Sequence, residues 1–323
     1  MNILVTGVAG FIGAQVAKSF LDAGNRVFGI DNVNNYYDTG LKEYRLAQLE
    51  PHPNFRFCRL DLSDSAGVNE VFSQCNFDIV VHLAAQAGVR YSIENPHAYI
   101  NSNILGFQNI LDNCREHPPR HLVFASSSSV YGNSAASEFK ETDCTDDPVS
   151  LYAATKKSNE VIGHSYAKLY GIPMTGLRFF TVYGPAGRPD MAYFSFTKSI
   201  ISGQPIRVFN HGQLWRDFTY IDDIVDGVRR VCNAPPADLE IPYRILNLGN
   251  NQPVKLDEFI GILETLLGKA AIMEGLGMQP GDVLKTCANI DAAKQLVGYQ
   301  PTTNVQDGLD RFVSWYRSYF RSE

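Results

Sequence analysis

The sequence predicts an α/β protein whose first half is a doubly wound parallel sheet. Two observations carry this: short apolar runs alternate with longer helical segments, and a glycine-rich turn follows the first run. Candidate strands cover residues 3–6, 26–31, 55–59, 79–82 and 121–126. Each is almost continuously apolar, as expected where helices cover both faces of a sheet. Helical segments at 12–23 and 99–116 lie between them, then a helix at 151–170 and a strand at 175–180. Beyond about residue 180 the alternation loosens, and Gly184-Pro185, Pro235-Pro236 and Pro280-Gly281 mark turns. Short strands at 205–209 and 244–248 alternate there with helices at 222–232, 256–267 and 305–320. The expected organisation is a first domain over 1–177 and a smaller, interleaved α/β domain over 178–323. Segments near 217–250 are expected to return to the first sheet, with 241–250 a candidate.

Composition narrows the function classes. A chain of 323 residues with 45% hydrophobic and 19% charged residues can bury a sizeable core. Net charge is −6 and the Lys and Arg residues form no run, which argues against sequence-independent nucleic-acid binding. A few placed arginines would still suffice for an anionic small molecule. The six cysteines form no CxxC pair, so no zinc or other metal site is expected. Scattered thiols without an export signal suggest a cytoplasmic protein. No run of about 18 apolar residues suggests a membrane span.

The turn after the first strand reads Gly7-Val8-Ala9-Gly10-Phe11-Ile12-Gly13 and opens the first helix. Small residues let the backbone approach a pyrophosphate, and the helix N-terminus offers N–H groups and a partial positive charge. Asp31 ends the second strand, 18 residues after Gly13. Its carboxylate would accept the adenosine ribose hydroxyls and repel a 2′-phosphate, and the neighbouring Asn32 brings no cation. NAD is therefore favoured over NADP, on a Rossmann-type sheet. Asp61-Leu62 after the third strand, and Leu83-Ala84-Ala85-Gln86 after the fourth, stand at strand C-terminal ends, where open α/β sheets bind ligands.

Tyr152 and Lys156 lie four apart in a helical segment and so share one face. A neighbouring ammonium would favour the phenolate, making Tyr152 a base for a sugar hydroxyl beside a nicotinamide. Alone the pair also fits a solvated helix face. It gains weight from Ser126-Ser127-Ser128-Ser129, hydroxyls at the end of the fifth strand.

These features resemble the extended short-chain dehydrogenase/reductase family over essentially the whole chain, most nearly its UDP-glucuronate 4-epimerases. The resemblance is carried by 126–132, by 150–157 (Ser-Leu-Tyr-Ala-Ala-Thr-Lys-Lys), by 177–185, by 187–192 and by 216–223. It implies a catalytic triad of Ser127, Tyr152 and Lys156. Tyr152 would take the proton of the sugar 4-hydroxyl, Lys156 would tune it and bind the nicotinamide ribose, and Ser127 would hold the 4-oxygen. It also implies Asn101 and Phe179 as cofactor contacts, and a homodimer built on helices 99–116 and 151–170. The implied reaction converts UDP-glucuronate to UDP-galacturonate through a 4-keto sugar.

Related dehydratases and decarboxylases place an acid just after the catalytic hydroxyl. Here Ser128 and Ser129 stand in that region, which favours plain oxidation and re-reduction. The resemblance implies that hydroxyls of Ser127, Ser128, Ser129 and Thr181 bind the glucuronate carboxylate. Arg188 and Arg216 are candidates for the diphosphate and sugar end, though each could be a surface ion pair. Arg90 could reach the sugar region. Gln279-Pro280-Gly281-Asp282 resembles the uridine-facing loop of the family, in which many relatives have Arg in place of Gln279 and Asp282 could accept uridine ribose hydroxyls. Phe194 and Val208 could flank the uracil or belong to the core. A UDP-glucose/UDP-galactose 4-epimerase is the main rival, and a decarboxylase a weaker one. A regulator that merely kept the cofactor loop should have lost Tyr152 or Lys156.

Overall fold

In the computed structural model, which describes residues 1–134, 136–278 and 283–321, twelve strands are formed. They are β1 (Asn2–Thr6), β2 (Arg26–Asp31), β3 (Phe55–Arg59), β4 (Ile79–His82), β5 (His121–Ser127), β6 (Met174–Phe179), β7 (Thr181–Tyr183), β8 (Ile206–Phe209), β9 (Trp215–Tyr220), β10 (Tyr243–Leu248), β11 (Pro253–Lys255) and β12 (Met273–Leu276). Seven make one parallel sheet in the order β10-β6-β5-β4-β1-β2-β3. Its inner strands are buried along almost their whole length, so the continuous apolar runs reflect helices on both faces. The order reverses between β1 and β4, which opens a crevice at the strand C-terminal ends.

β10 comes from the second half of the chain and pairs with β6 from Tyr243↔Met174 to Leu248↔Phe179. The second half also forms a three-stranded sheet, β11-β9-β7, and a two-stranded one, β12-β8. The sequence reading named no strand at β9, where Trp215–Tyr220 interrupts apolar residues with Arg216 and Asp217. Asp217 is fully buried and accepts backbone N–H groups of Asn250 (2.7 Å), Asn251 (3.0 Å) and Ala288 (2.9 Å). Its carboxylate thus anchors β9 to two neighbouring segments, and that satisfied hydrogen bonding offsets the burial.

One helix departs from the expected form. The segment expected as a single helix over 99–116 is a short helix, Pro96–Tyr99, then a π-helical turn, Ile100–Leu105, then an α-helix, Gly106–Glu116. π-turns are rare and frequently mark functional sites.

Candidate active site

A cavity of about 1130 Å³ opens at the crevice and runs from the glycine turn to the β8 region. The glycine turn forms its first wall. Gly7 has φ +73°, and a Cβ there would come 2.7 Å from the Ala84 nitrogen. A Cβ on Gly13 would come 2.1 Å from the Gly7 carbonyl oxygen, so the turn closes only with glycine there. The helix Phe11–Asp22 has no side-chain cap at Gly10, and Phe11, Ile12 and Gly13 line the cavity at its N-terminus. That leaves first-turn donors and the positive helix end available to phosphates.

Asp31 reaches the cavity from the end of β2, its carboxylate taking N–H groups of Ala9 (3.0 Å) and Val33 (2.8 Å). Burial pushes its pKa up, against the hydrogen bonds to Val33 and Ala9 and the charge of Lys42. Asn32 donates to Asp61 (2.7 Å), which ties the ends of β2 and β3 together. Asn32, Asp61, Leu62, Leu83, Ala84, Ala85, Gln86 and Phe179 all line the cavity. The tight glycine turn and the acid at the end of β2 fit a dinucleotide.

The catalytic candidates converge on the same space. Ser127 ends β5 and caps the following turn, its Oγ accepting from Ser129 N (3.2 Å) and donating to Ser129 Oγ (3.1 Å). Tyr152 and Lys156 approach from the helix Leu151–Tyr170, which Ser150 caps by accepting from Ala153 N (3.1 Å). Lys156 is almost fully buried and donates to the Ala125 carbonyl (2.9 Å). Burial lowers its pKa to about 8.

The sequence reading has Lys156 lowering the Tyr152 pKa, but Lys156 is not among the groups that do so here. Burial raises the Tyr152 pKa, and the groups opposing it are the Ser127 hydroxyl and the Arg188 charge. Lys156 is itself desolvated, and its ammonium donates to Ala125, the residue before the serine run.

A buried frame that sequence reading missed holds this set. Glu160 lies one helical turn beyond Lys156. It accepts two hydrogen bonds from Arg178 on β6 (both 2.8 Å) and one from Ser126 (2.6 Å). Arg178 also stacks over the Tyr131 ring at 4.7 Å. Asn103, in the π-turn, receives Gln86 N (2.8 Å) and donates to Gln86 O (3.1 Å) and Thr155 Oγ1 (3.0 Å). It thereby joins the end of β4 to the Tyr152 helix. The spacing of Glu160 after Tyr152 and Lys156 is the one sequence signal that could have found this frame.

Ser128, Ser129, Thr181, Arg90, Arg188 and Arg216 also line the cavity. Arg188 pairs with Asp190 through Nε (3.0 Å), and Asp190 accepts the Tyr36 hydroxyl (3.2 Å). Arg90 stacks over Phe209 at 4.8 Å. Tyr36, Tyr91 and Phe209 are lining aromatics that the sequence reading did not single out.

Three expected contacts fall elsewhere. Asn101 is exposed and outside the cavity lining; the wide π-turn brings Ser102 to the cavity and buries Asn103 instead. Phe194 is core, its ring 5.3 Å from Tyr316 and 5.8 Å from Phe312. Val208 is buried in the core and outside the cavity lining, while Ile206, Arg207 and Phe209 of the same strand line the cavity. Gln279 and Asp282 lie outside the described residues. Among the described residues no cluster of three metal-ligating side chains occurs, and no helix is long and apolar enough to cross a membrane.

Comparison with known proteins places these features. A model of the NAD dependent epimerase/dehydratase family matches residues 3–249. Protein CapI of Staphylococcus aureus is 48% identical, over 99% of this chain and 100% of its own length. UDP-glucuronate 4-epimerase 4 of Arabidopsis thaliana is 47% identical, over 100% of this chain and 77% of its own. The crystal structure of UDP-glucuronic acid 4-epimerase from Bacillus cereus, in complex with UDP-glucuronic acid and NAD, is 34% identical. It superposes with a TM-score of 0.92 over 99% of this chain and 100% of that one. With the sheet order, the glycine turn and the Ser-Tyr-Lys set in one cavity, the match over residues 3–249 means that the chain belongs to the NAD dependent epimerase/dehydratase family, within the extended short-chain dehydrogenases/reductases.

Proposed function

We propose that the chain is a UDP-glucuronate 4-epimerase, interconverting UDP-glucuronate and UDP-galacturonate with bound NAD. The observation that carries this reading is the acid-free hydroxyl rim Ser127–Ser129 and Thr181, lining one cavity with Tyr152, Lys156 and the glycine turn. The relatives named for this activity support it. In this reading residues 1–177 carry most of the NAD site, and residues from 178 onward most of the sugar-nucleotide site.

Gly7, Gly10 and Gly13, with the helix end behind them, would hold the pyrophosphate, and Asp31 the adenosine ribose. Lys156 would bind the nicotinamide ribose. When bound, NAD supplies the site that accepts the C4 hydride and returns it. A Tyr152 phenolate, favoured when the positive nicotinamide of NAD stands beside it, would take the 4-hydroxyl proton as C4 is oxidised, and the resulting phenol would return it as C4 is reduced. Ser127 holds the 4-oxygen throughout. Between the two steps the 4-keto sugar turns its other face toward the cofactor, so C4 is inverted. The 4-keto acid is a β-keto acid that can lose CO₂. Hydroxyls of Ser128, Ser129 and Thr181 would hold its carboxylate in the ring plane and suppress that loss. Neutral donors bind this carboxylate without a buried counter-ion.

A homodimer and a cytoplasmic location complete the proposal. Exposed apolar side chains on the helices named for dimerisation, among them Leu105, Val161 and Leu169, support the first. Six free cysteines support the second.

The test is incubation of the purified protein with UDP-glucuronate, with products resolved by NMR. UDP-galacturonate, approached to the same mixture from either side, supports the epimerase. UDP-pentose with CO₂ indicates a decarboxylase. Turnover of UDP-glucose alone indicates the neutral-sugar epimerase.

A further inference from the structure

Arg45 is among the largest fully buried side chains, 2% exposed, and it lines no part of the main cavity. A buried guanidinium normally faces a carboxylate. Arg45 forms no ion pair with one among the described residues; its partners are three backbone carbonyls and a phenol. Nε donates to Ala186 O (2.8 Å) and one terminal nitrogen to Gly187 O (2.9 Å). The other terminal nitrogen donates to Ala9 O (3.0 Å) and the Tyr37 hydroxyl (2.7 Å).

These partners come from three separate segments. Ala9 is in the glycine turn, and its N–H is held by Asp31 (3.0 Å), so the residue is held through both the peptide before it and the peptide after it. Tyr37 lines the cavity beside Tyr36. Ala186 and Gly187 lead directly into Arg188. Both stand in constrained positions: Ala186 holds a left-handed φ of +54°, and a Cβ on Gly187 would meet the Tyr193 hydroxyl at 1.8 Å. Beyond them Arg188 faces the cavity, paired with Asp190, which in turn accepts Tyr36. Two parallel links therefore join the 36–37 segment to the 186–190 segment. The inner one passes through Arg45.

We infer that Arg45 is a positioning residue: its planar fork keys the 186–190 segment onto the glycine turn and so sets where Arg188 stands over the sugar site. The role toward a nucleotide sugar rests on the proposed function; the anchoring of the segment does not. Lysine cannot replace it, because one ammonium on a flexible stem lacks the fixed fork that reaches three segments at once.

The experiment compares Arg45→Lys with the wild type, and Arg45→Met serves where a cation without geometry confuses the reading. Hydrogen exchange is measured by mass spectrometry on peptides spanning 184–192, together with the steady-state constants for UDP-glucuronate. Faster exchange in that segment, with the central strands unchanged, is expected. KM should rise about tenfold, with kcat within about threefold. Adding Arg45→Lys to Arg188→Ala should raise KM no further, because both changes act through one group. Unchanged exchange at 184–192 overturns the proposal, as does full additivity with Arg188→Ala. So does a general loss of melting temperature with KM intact, which would leave Arg45 a packing residue. Should the wild type not turn over UDP-glucuronate, the proposed function fails, and the exchange measurement alone decides the anchoring.

Discussion

Lys156, proposed to bind the nicotinamide ribose, also carries a thermodynamic cost. Burial takes its pKa from 10.5 to about 8. Between those values the unfolded chain binds the proton that the folded chain has lost, so stability rises with pH across that window. Below pH 8 the amine is charged in both states, and the buried charge costs about 3 kcal/mol. Lys156→Met should therefore raise the melting temperature of the ligand-free protein at pH 7, with the gain shrinking toward pH 10.5, while activity drops at least a hundredfold. Scanning calorimetry across pH checks this; a lower melting temperature at pH 7 would refute it. Thr181 stands at the cavity rim, where a hydroxyl is proposed to hold the substrate carboxylate. Thr181→Ala should increase the pentose by-product or raise KM for the acid, read by NMR; no change in either removes Thr181 from the carboxylate site.

At the scale of elements, the helix Leu151–Tyr170 and the strands β5 and β6 act as one unit through the Glu160 carboxylate. Arg178 and Glu160 are 4% and 6% exposed, so neither charge is solvated if its partner is lost. Arg178→Met should cost about 3–5 kcal/mol in chemical denaturation. Adding Glu160→Leu should recover part of that loss, because the orphaned charge goes with it. A smaller loss in the double than in the single variant is the outcome that checks this. The π-turn over Ile100–Leu105 is a second device at this scale, since it buries Asn103 where it can bridge Gln86 and Thr155.

Across the whole molecule, the cavity lies between the parallel sheet and elements of the second half, so the two halves form the proposed site jointly. The helix that carries Tyr152 also exposes Val161 and Leu169, 58% and 68% accessible. If a second copy covers them, Val161→Glu with Leu169→Glu should shift the sedimenting species from dimer to monomer. It should also raise KM, since the catalytic helix loses its support. A monomeric wild type in sedimentation at micromolar concentration would refute this.

The sequence by itself determined what rests on local chemistry. The apolar runs of β1, β2 and β4, the glycine turn, the acid closing β2 and the Tyr152–Lys156 pair were all legible. Each is marked locally, by a continuous apolar run and the residue that ends it, by a spacing of four along a helix, or by a backbone position that only glycine tolerates. Only the tertiary structure decided which side of an element faces the site. It turned Phe194 and Val208 into the core, brought Ser102 rather than Asn101 to the cavity, and set Arg178 on Glu160 across 18 residues. It also set the direction in which the Tyr152 pKa moves, because the pKa of a buried group depends on what surrounds it in space. Lys156 spends its ammonium on Ala125, from a strand 31 residues away. Long-range contacts of this kind leave no period in the chain, which is why Arg45 and its three carbonyls could not be read there.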